Sequence, residues 1–318
     1  MAGAAEASRR PPLVFVHGSY HAAWCFDDKF LPFFAAAGYD CYAISMRGQG
    51  GSDRPSDPAL TPATLNSHSE DLASFLKSLG RRGGLNYEER MGGRSKEAHP
   101  HMPFRPAVVT AHSFGGLLLQ KYALDAAARP AEYPELRAMV FLNSVPPSGN
   151  GPMVLRFLLR SPLLSLRITR AFVAKTFASS LADCREMFFS ESLPEADLKR
   201  RVDHAVEISQ RRSPTTPGSM PALLCRYQAQ LAACSPIKLI DLRAMSKSVP
   251  LPPAPRGHPP VLVLGGTKDN VVDAEAVREL AAYYGVSPVL VEGLPHDSML
   301  DVQAEQVAQQ LLEFVEPL

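Results

Sequence analysis

The sequence predicts an α/β protein, a mostly parallel central sheet flanked by helices in three layers and interrupted by one helical insertion. Two observations carry this. Six short apolar runs recur, Leu13 to Val16, Cys41 to Ile44, Ala107 to Thr110, Ala138 to Leu142, Val261 to Leu264 and Val289 to Val291, with helix-length segments between them. Runs this short and rich in Val, Ile and Leu suit strands of a parallel sheet buried on both faces. The stretch from Pro146 to Pro260 breaks that rhythm and reads as helical throughout.

Taken in order, Met1 to Pro12 is an Ala-rich, flexible N-terminus with Arg9 and Arg10 but no apolar h-region, so no secretory signal is expected. No stretch approaches the length of uninterrupted apolar sequence that a spanning helix needs. The cytoplasm is the expected compartment and a plastid the second choice. Thr61 before Pro62 has the chemistry of a helix N-cap, and Leu72, Phe75, Leu76 and Leu79 then recur at helical spacing. Arg81 to Arg105 is polar, holds Gly83, Gly84, Gly92 and Gly93, and is expected to be a surface loop.

The large interruption is bounded by Pro146, Pro147, Gly149, Gly151 and Pro152 on one side and by Pro250, Pro252, Pro253, Pro255, Pro259 and Pro260 on the other. Such flanks are stiff and extended, as connections between an inserted lobe and its parent would be. Residues 13–145 and 261–318 are therefore assigned to the core and 146–260 to a helical cap. Val307, Leu311, Phe314 and Val315 mark a terminal helix that packs on the sheet.

A chain of 318 residues, 46% of them hydrophobic, buries enough surface for one large domain with an accessory lobe. A net charge of +1 offers no long-range field for nucleic acid, and no nucleic-acid partner is expected. The five cysteines lack paired C-x-x-C spacing and read as reduced thiols rather than zinc ligands or a redox pair.

The chemistry gathers at the ends of the predicted strands. Ala107 to Leu119 reads as strand, tight turn and helix, with Ser113 on the turn and small residues, Ala111 and Gly115, two positions either side. A serine there needs a strained backbone and small neighbours so that strand and helix can approach. The helix beginning at Ser113 would aim its N-terminal amides at the site, making the N–H of Phe114 one oxyanion donor. A second donor is expected from Ser19, in the turn after Val16-His17-Gly18. Taken alone, Ser113 could be a simple N-cap, and His17 reads as a residue that holds its loop rather than as a base.

A serine hydroxyl becomes a nucleophile only when an imidazole takes its proton and a carboxylate holds that imidazole in the right tautomer. Asp269 follows the strand and glycine turn Val261 to Gly266, and His296 follows the strand Val289 to Val291. The order Ser, Asp, His differs from that of other serine-protease architectures and matches the nucleophile-elbow fold. Asp273 and Asp301 are assigned to helix starts instead. His21, Trp24 and His112 are expected to line the substrate pocket.

On these residues the chain resembles the α/β-hydrolase-fold serine esterases of the AB hydrolase-1 type, over roughly Leu13 to Ser144 and Val261 to Val315. Arg47-Gly48-Gln49-Gly50-Gly51-Ser52 is similar to the R-G-x-G-x-S turn of that family, and Ser45 stands where the family's Asp usually lies. His17 to Cys25 resembles the oxyanion segment of plant methyl-ester esterases and hydroxynitrile lyases. The resemblance implies a sheet of eight strands or slightly fewer, a cap, no metal and no organic cofactor.

In Met153 to Phe189 many leucines and phenylalanines alternate with Arg156, Arg160, Arg167, Arg170 and Lys175. Such a segment is expected to cover an apolar substrate while its basic face stays wet, with transient contact to an anionic membrane surface as the sharper alternative. The expected activity is hydrolysis of a carboxylic ester of a small or medium apolar molecule through an acyl-enzyme. A thioesterase, lactonase, acyltransferase or lyase would use the same three residues, and a non-catalytic ligand receptor could be built on the same scaffold.

Overall fold

Each apolar run of the sequence forms a strand, and alternate residues along it feed opposite faces of one sheet. The computed structural model describes residues 10–52, 63–82, 105–194 and 223–318. Its strands are β1 (Leu13–Val16), β2 (Cys41–Ile44), β3 (Ala107–His112), β4 (Leu136–Leu142), β5 (Val261–Gly266) and β6 (Pro288–Val291). They lie in the order β2-β1-β3-β4-β5-β6, and every neighbouring pair is parallel. Six strands among the described residues fall at the short end of what the resemblance implied.

Parallel neighbours need crossover connections, and the helices supply them. These are α1 (Phe30–Ala36), α2 (Leu65–Arg82), α3 (Phe114–Ala128), α4 (Gly151–Arg160), α5 (Pro162–Ala174), α6 (Leu181–Phe188), α7 (Leu223–Ala232), α8 (Leu242–Ser248), α9 (Ala274–Tyr284) and α10 (Ala304–Val315). Val14 and Val16 pack with Leu72 and Leu76 of α2, Leu118 of α3 and Leu280 of α9. Leu13 and Phe15 point the other way, onto Phe30 and Phe34 of α1 and Val307 and Leu311 of α10. Burying such a side chain contributes about 1.5–3 kcal/mol, so the alternation along one short strand fastens helices to both faces. The terminal helix packs as its spacing predicted.

Helix α2 runs on to Arg82, two residues into the expected loop. The rest of that loop up to residue 104, the expected cap Thr61 with Pro62, and residues 1–9 lie outside the described residues. All five cysteines are free thiols. No helix among the described residues is long and apolar enough to cross a membrane.

Between β4 and β5 the described residues form α4 to α8 and no strand. The basic residues expected to stay wet do so at Arg160, Arg167 and Arg170, which are exposed. Arg156 departs from that expectation: it donates from Nε and Nη2 to the buried Asp273 at 2.7 and 2.6 Å, and Arg160 reaches the same carboxylate at 3.2 Å while remaining exposed. Val154, Leu155, Leu158 and Leu159 of α4 are also turned to solvent. Asp273 also caps α9 through Ala276 N, as its assignment to a helix start anticipated. Burial works against its charge, but the Arg156 guanidinium and the Ala276 amide hold its carboxyl below the usual range. Asp301 does not cap α10; its carboxylate accepts from Ser190 N and Oγ at 2.9 and 2.8 Å and so ties the end of α6 to the core.

Candidate active site

All the chemistry named from the sequence ends up on the carboxyl rim of the sheet, where the loops after β1, β3, β5 and β6 meet. The order β2-β1-β3 makes chain direction switch around β1, and α/β sheets open a crevice at such a point. Ser113 sits there with φ 55° and ψ −125°, a backbone that an L-residue seldom adopts and that costs on the order of 1–3 kcal/mol. Surrounding bonds hold it: its N–H donates to Leu142 O at 3.2 Å, and its carbonyl accepts from Gly116 N at 3.0 Å and Val145 N at 3.1 Å.

The small residues around this turn have a measurable reason. A Cβ on Gly115 would stand 2.6 Å from the His17 carbonyl oxygen, and one on Gly18 would stand 2.6 Å from Ser113 Cβ. Strand β1 and the turn into α3 thus approach to a distance that only glycine permits.

Ser113 Oγ lies 3.1 Å from His296 Nε2, and His296 Nδ1 lies 2.8 Å from Asp269 Oδ2. The carboxylate needs a donor, so Nδ1 carries the proton and Nε2 presents its lone pair to the serine hydroxyl. All three residues are buried or nearly so. Burial, the largest influence on His296, disfavours its imidazolium, yet the charge and hydrogen bond of Asp269 outweigh it and hold the pKa above the ordinary 6.5.

Asp269 is fixed in turn. Its Oδ1 accepts from Val271 N at 2.7 Å and Val272 N at 2.9 Å, and its Oδ2 also accepts from Asn143 Nδ2 at 2.8 Å. Asn143, at φ 46° just past β4, was not singled out from the sequence. A polar residue after an apolar strand was the available signal, but its partner lies 126 positions away.

The amides of Ser19 and Phe114 have no protein acceptor among the described residues. Both residues line a cavity of about 370 Å³ that also exposes Ser113 and His296. Its walls are largely apolar: Val145 from the core, Met153 and Phe157 from α4, Ile168 and Phe172 from α5, and Phe188 from α6. Gln49, from the glycine-rich turn after β2, joins them and donates to Ile237 O at 2.9 Å. Tyr20 hydrogen-bonds Phe172 O at 3.1 Å and stacks on its ring, joining the turn after β1 to α5. Phe188 also packs against the rings of His296 and His21.

His17 holds its loop, as read from the sequence. Its Nδ1–H donates to Gly18 O at 2.8 Å, and Nε2 accepts from Met46 N at 3.0 Å. Burial pushes its pKa down to about 3.

The three residues expected to line the pocket do not. His21, Trp24 and His112 lie behind the cavity wall: His21 and His112 are buried, and Trp24 stacks on the His21 ring. His21 Nδ1 donates to Ser19 O at 2.8 Å while Nε2 meets Asp297 Oδ2 at 2.9 Å. His112 Nε2 donates to His296 O at 3.0 Å, and burial, then the neighbouring His296 and His21, lowers its pKa. Sequence proximity to Ser19 and Ser113 pointed these rings at substrate; a buried carboxylate and a carbonyl turn them inward.

His21, His112 and Asp297 have the donor types of a metal site, with ligand atoms within 4.8 Å of one another. The nitrogens that face backbone carbonyls, His21 Nδ1 and His112 Nε2, carry protons, which leaves His21 Nε2 and His112 Nδ1 as the ring atoms able to offer a lone pair.

The chain matches the alpha/beta hydrolase family over residues 13–310 and belongs to that family. No curated relative matches it. In fold it is similar to BpoC of Mycobacterium tuberculosis, a candidate non-heme bromoperoxidase, at 18% identity and a TM-score of 0.60 over 96% of this chain and 92% of that one. A thermophilic esterase from Thermogutta terrifontis is similar at 16% identity and a TM-score of 0.55, covering 96% and 90% of the two chains. The enol-lactonase of Burkholderia xenovorans is similar at 15% identity and a TM-score of 0.54, covering 97% and 92%.

Proposed function

We propose that the protein is a serine hydrolase that cleaves carboxylic esters of small or medium apolar molecules through an acyl-enzyme. The observation that carries this reading is the continuous hydrogen-bonded line from Ser113 Oγ through His296 to Asp269, opening into a cavity with apolar walls. Ser113 attacks the ester carbonyl as His296 Nε2 removes its proton; the Ser19 and Phe114 amides receive the oxyanion. His296 then protonates the departing alkoxide and afterwards activates water against the acyl-enzyme. Asp269 keeps the imidazole in the tautomer this requires. Residues 146–260 act as a cap whose α4, α5 and α6 side chains shape the acyl or alkyl subsite, and the reaction draws on no metal or organic cofactor.

Turnover of a p-nitrophenyl ester series, together with labelling by a fluorophosphonate, tests the reading. Ser113→Ala is expected to abolish labelling and to lower kcat by roughly four to six orders of magnitude. Undiminished turnover in that variant, or a wild-type protein that ignores the probe, would overturn it.

A further inference from the structure

We infer that the outer face of α4 and α5 docks on an anionic lipid bilayer and that the cavity receives its ester, an amphiphile with an acyl or alkyl chain, directly from that surface. The substrate half of this inference rests on the hydrolase reading; the docking half does not.

Helix α4 is apolar on two faces: Met153 and Phe157 line the cavity, while Leu155, Leu158 and Leu159 face water. Its cations are spent on carboxylates, Arg156 on Asp273 and Arg160 on Asp273 and Glu275. On α5, Leu163, Leu166, Arg170 and Val173 follow one another at helical spacing along one stripe, with Leu163 78% and Val173 80% exposed. Leu159, at the end of α4, is 75% exposed and continues the same apolar surface across the Ser161 turn. Scattered exposed leucines are ordinary, but a contiguous apolar face on two successive helices marks an interaction site.

Two further observations choose the occupant. The patch is continuous with the mouth of the cavity, because Val154, Val173 and Leu242 are both exposed and part of the cavity lining. A ligand could pass from whatever covers the patch to Ser113 without crossing water. The surroundings are also basic: Pro146 to Ala182 contains no Asp or Glu, and Arg170 and Lys238 have no carboxylate partner among the described residues. Apolar side chains framed by unpaired cations fit the interface of a bilayer with anionic headgroups.

The test uses co-sedimentation of the full chain with phosphatidylcholine vesicles, with and without phosphatidylglycerol, for wild type, Ser113→Ala and the triple variant L159E/L163E/L166E. Wild type and Ser113→Ala are expected to sediment, more strongly with phosphatidylglycerol; the triple variant should lose at least about tenfold in partitioning. Its turnover of a short soluble ester should remain, while turnover of a long-chain ester dispersed in the vesicles falls. Wild type left in the supernatant, or a triple variant that sediments equally well, would overturn docking. A wild-type dimer that the triple variant converts to monomer, without vesicle recovery, would give the surface to a second copy instead. Docking with unchanged relative turnover of the two esters would overturn delivery from the bilayer, and docking by a protein inert toward every ester would sink the hydrolase reading together with the substrate half and leave the docking half standing.

Discussion

His21 and Asp297 join the turn after β1 to the loop after β6 through a single 2.9 Å contact inside the buried wall of the site. One end of this link holds the carbonyl of Ser19, whose amide is the proposed oxyanion donor; the other is the residue that follows His296 in the chain. Asp297→Asn is therefore expected to lower kcat about ten- to a hundredfold, since a shift of about 1 Å in reacting groups has that effect. KM should change little, because neither residue touches the cavity. The Asp297 charge also helps raise the His296 pKa, so the acid limb of the pH profile should move to lower pH. Michaelis kinetics on a variant with an unchanged melting profile checks both; a raised KM at constant kcat would contradict the positioning role.

Catalysis needs His296 neutral, and Asp269 holds its pKa above 6.5. In consequence kcat/KM should rise with pH through an apparent pKa above that value. Asp269→Asn removes the charge that raises it, so the remaining activity, down by about 10⁴, should titrate at lower pH than wild type. A pH–rate series on the two proteins decides this.

Acid stability follows from His17. Its pKa is about 3 in the fold against 6.5 when unfolded, so between those values the unfolded chain binds the extra proton. Stability is then fully present above pH 6.5 and declines toward pH 3, by roughly 1.4 kcal/mol per pH unit for each such histidine. His112, also lowered, adds to the same slope. His296, whose pKa is raised, acts oppositely and loses its contribution as pH climbs through its folded pKa. Urea unfolding at several pH values should show the slope, and His17→Gln should flatten it.

Gly115→Ala is expected to destabilise the fold by about 1–3 kcal/mol, because the obstacle to its Cβ is the His17 backbone rather than a side chain that can move. Gly51→Ala serves as the comparison: nothing stands within 4 Å, and its effect should stay within about 0.5 kcal/mol. Thermal melts of the two variants measure the difference.

The strands were legible because each is a short apolar run closed by a turn, and Ser113, Asp269 and His296 were legible because each follows such a run. What the linear pattern cannot carry is which remote group a polar side chain will meet. Asn143 becomes a partner of Asp269 only once β4 and β5 pair. Arg156 lies 117 positions from Asp273, and helical periodicity shows that α4 has two faces without showing which one meets the core. The same limit placed His21 on the pocket wall when Asp297, 276 positions away, draws it behind that wall.

Asp273 caps α9 beneath the sheet layer and grips α4 above the cavity with the same carboxylate. The roof of the pocket is thereby bolted to the scaffold at a point remote from the reacting atoms. On the proposed reading, exchanging Val154 or Phe157 is expected to retune which acyl groups fit while a guanidinium keeps the place of Arg156. Specificity would then be separable from chemistry, with α4 as the unit to exchange.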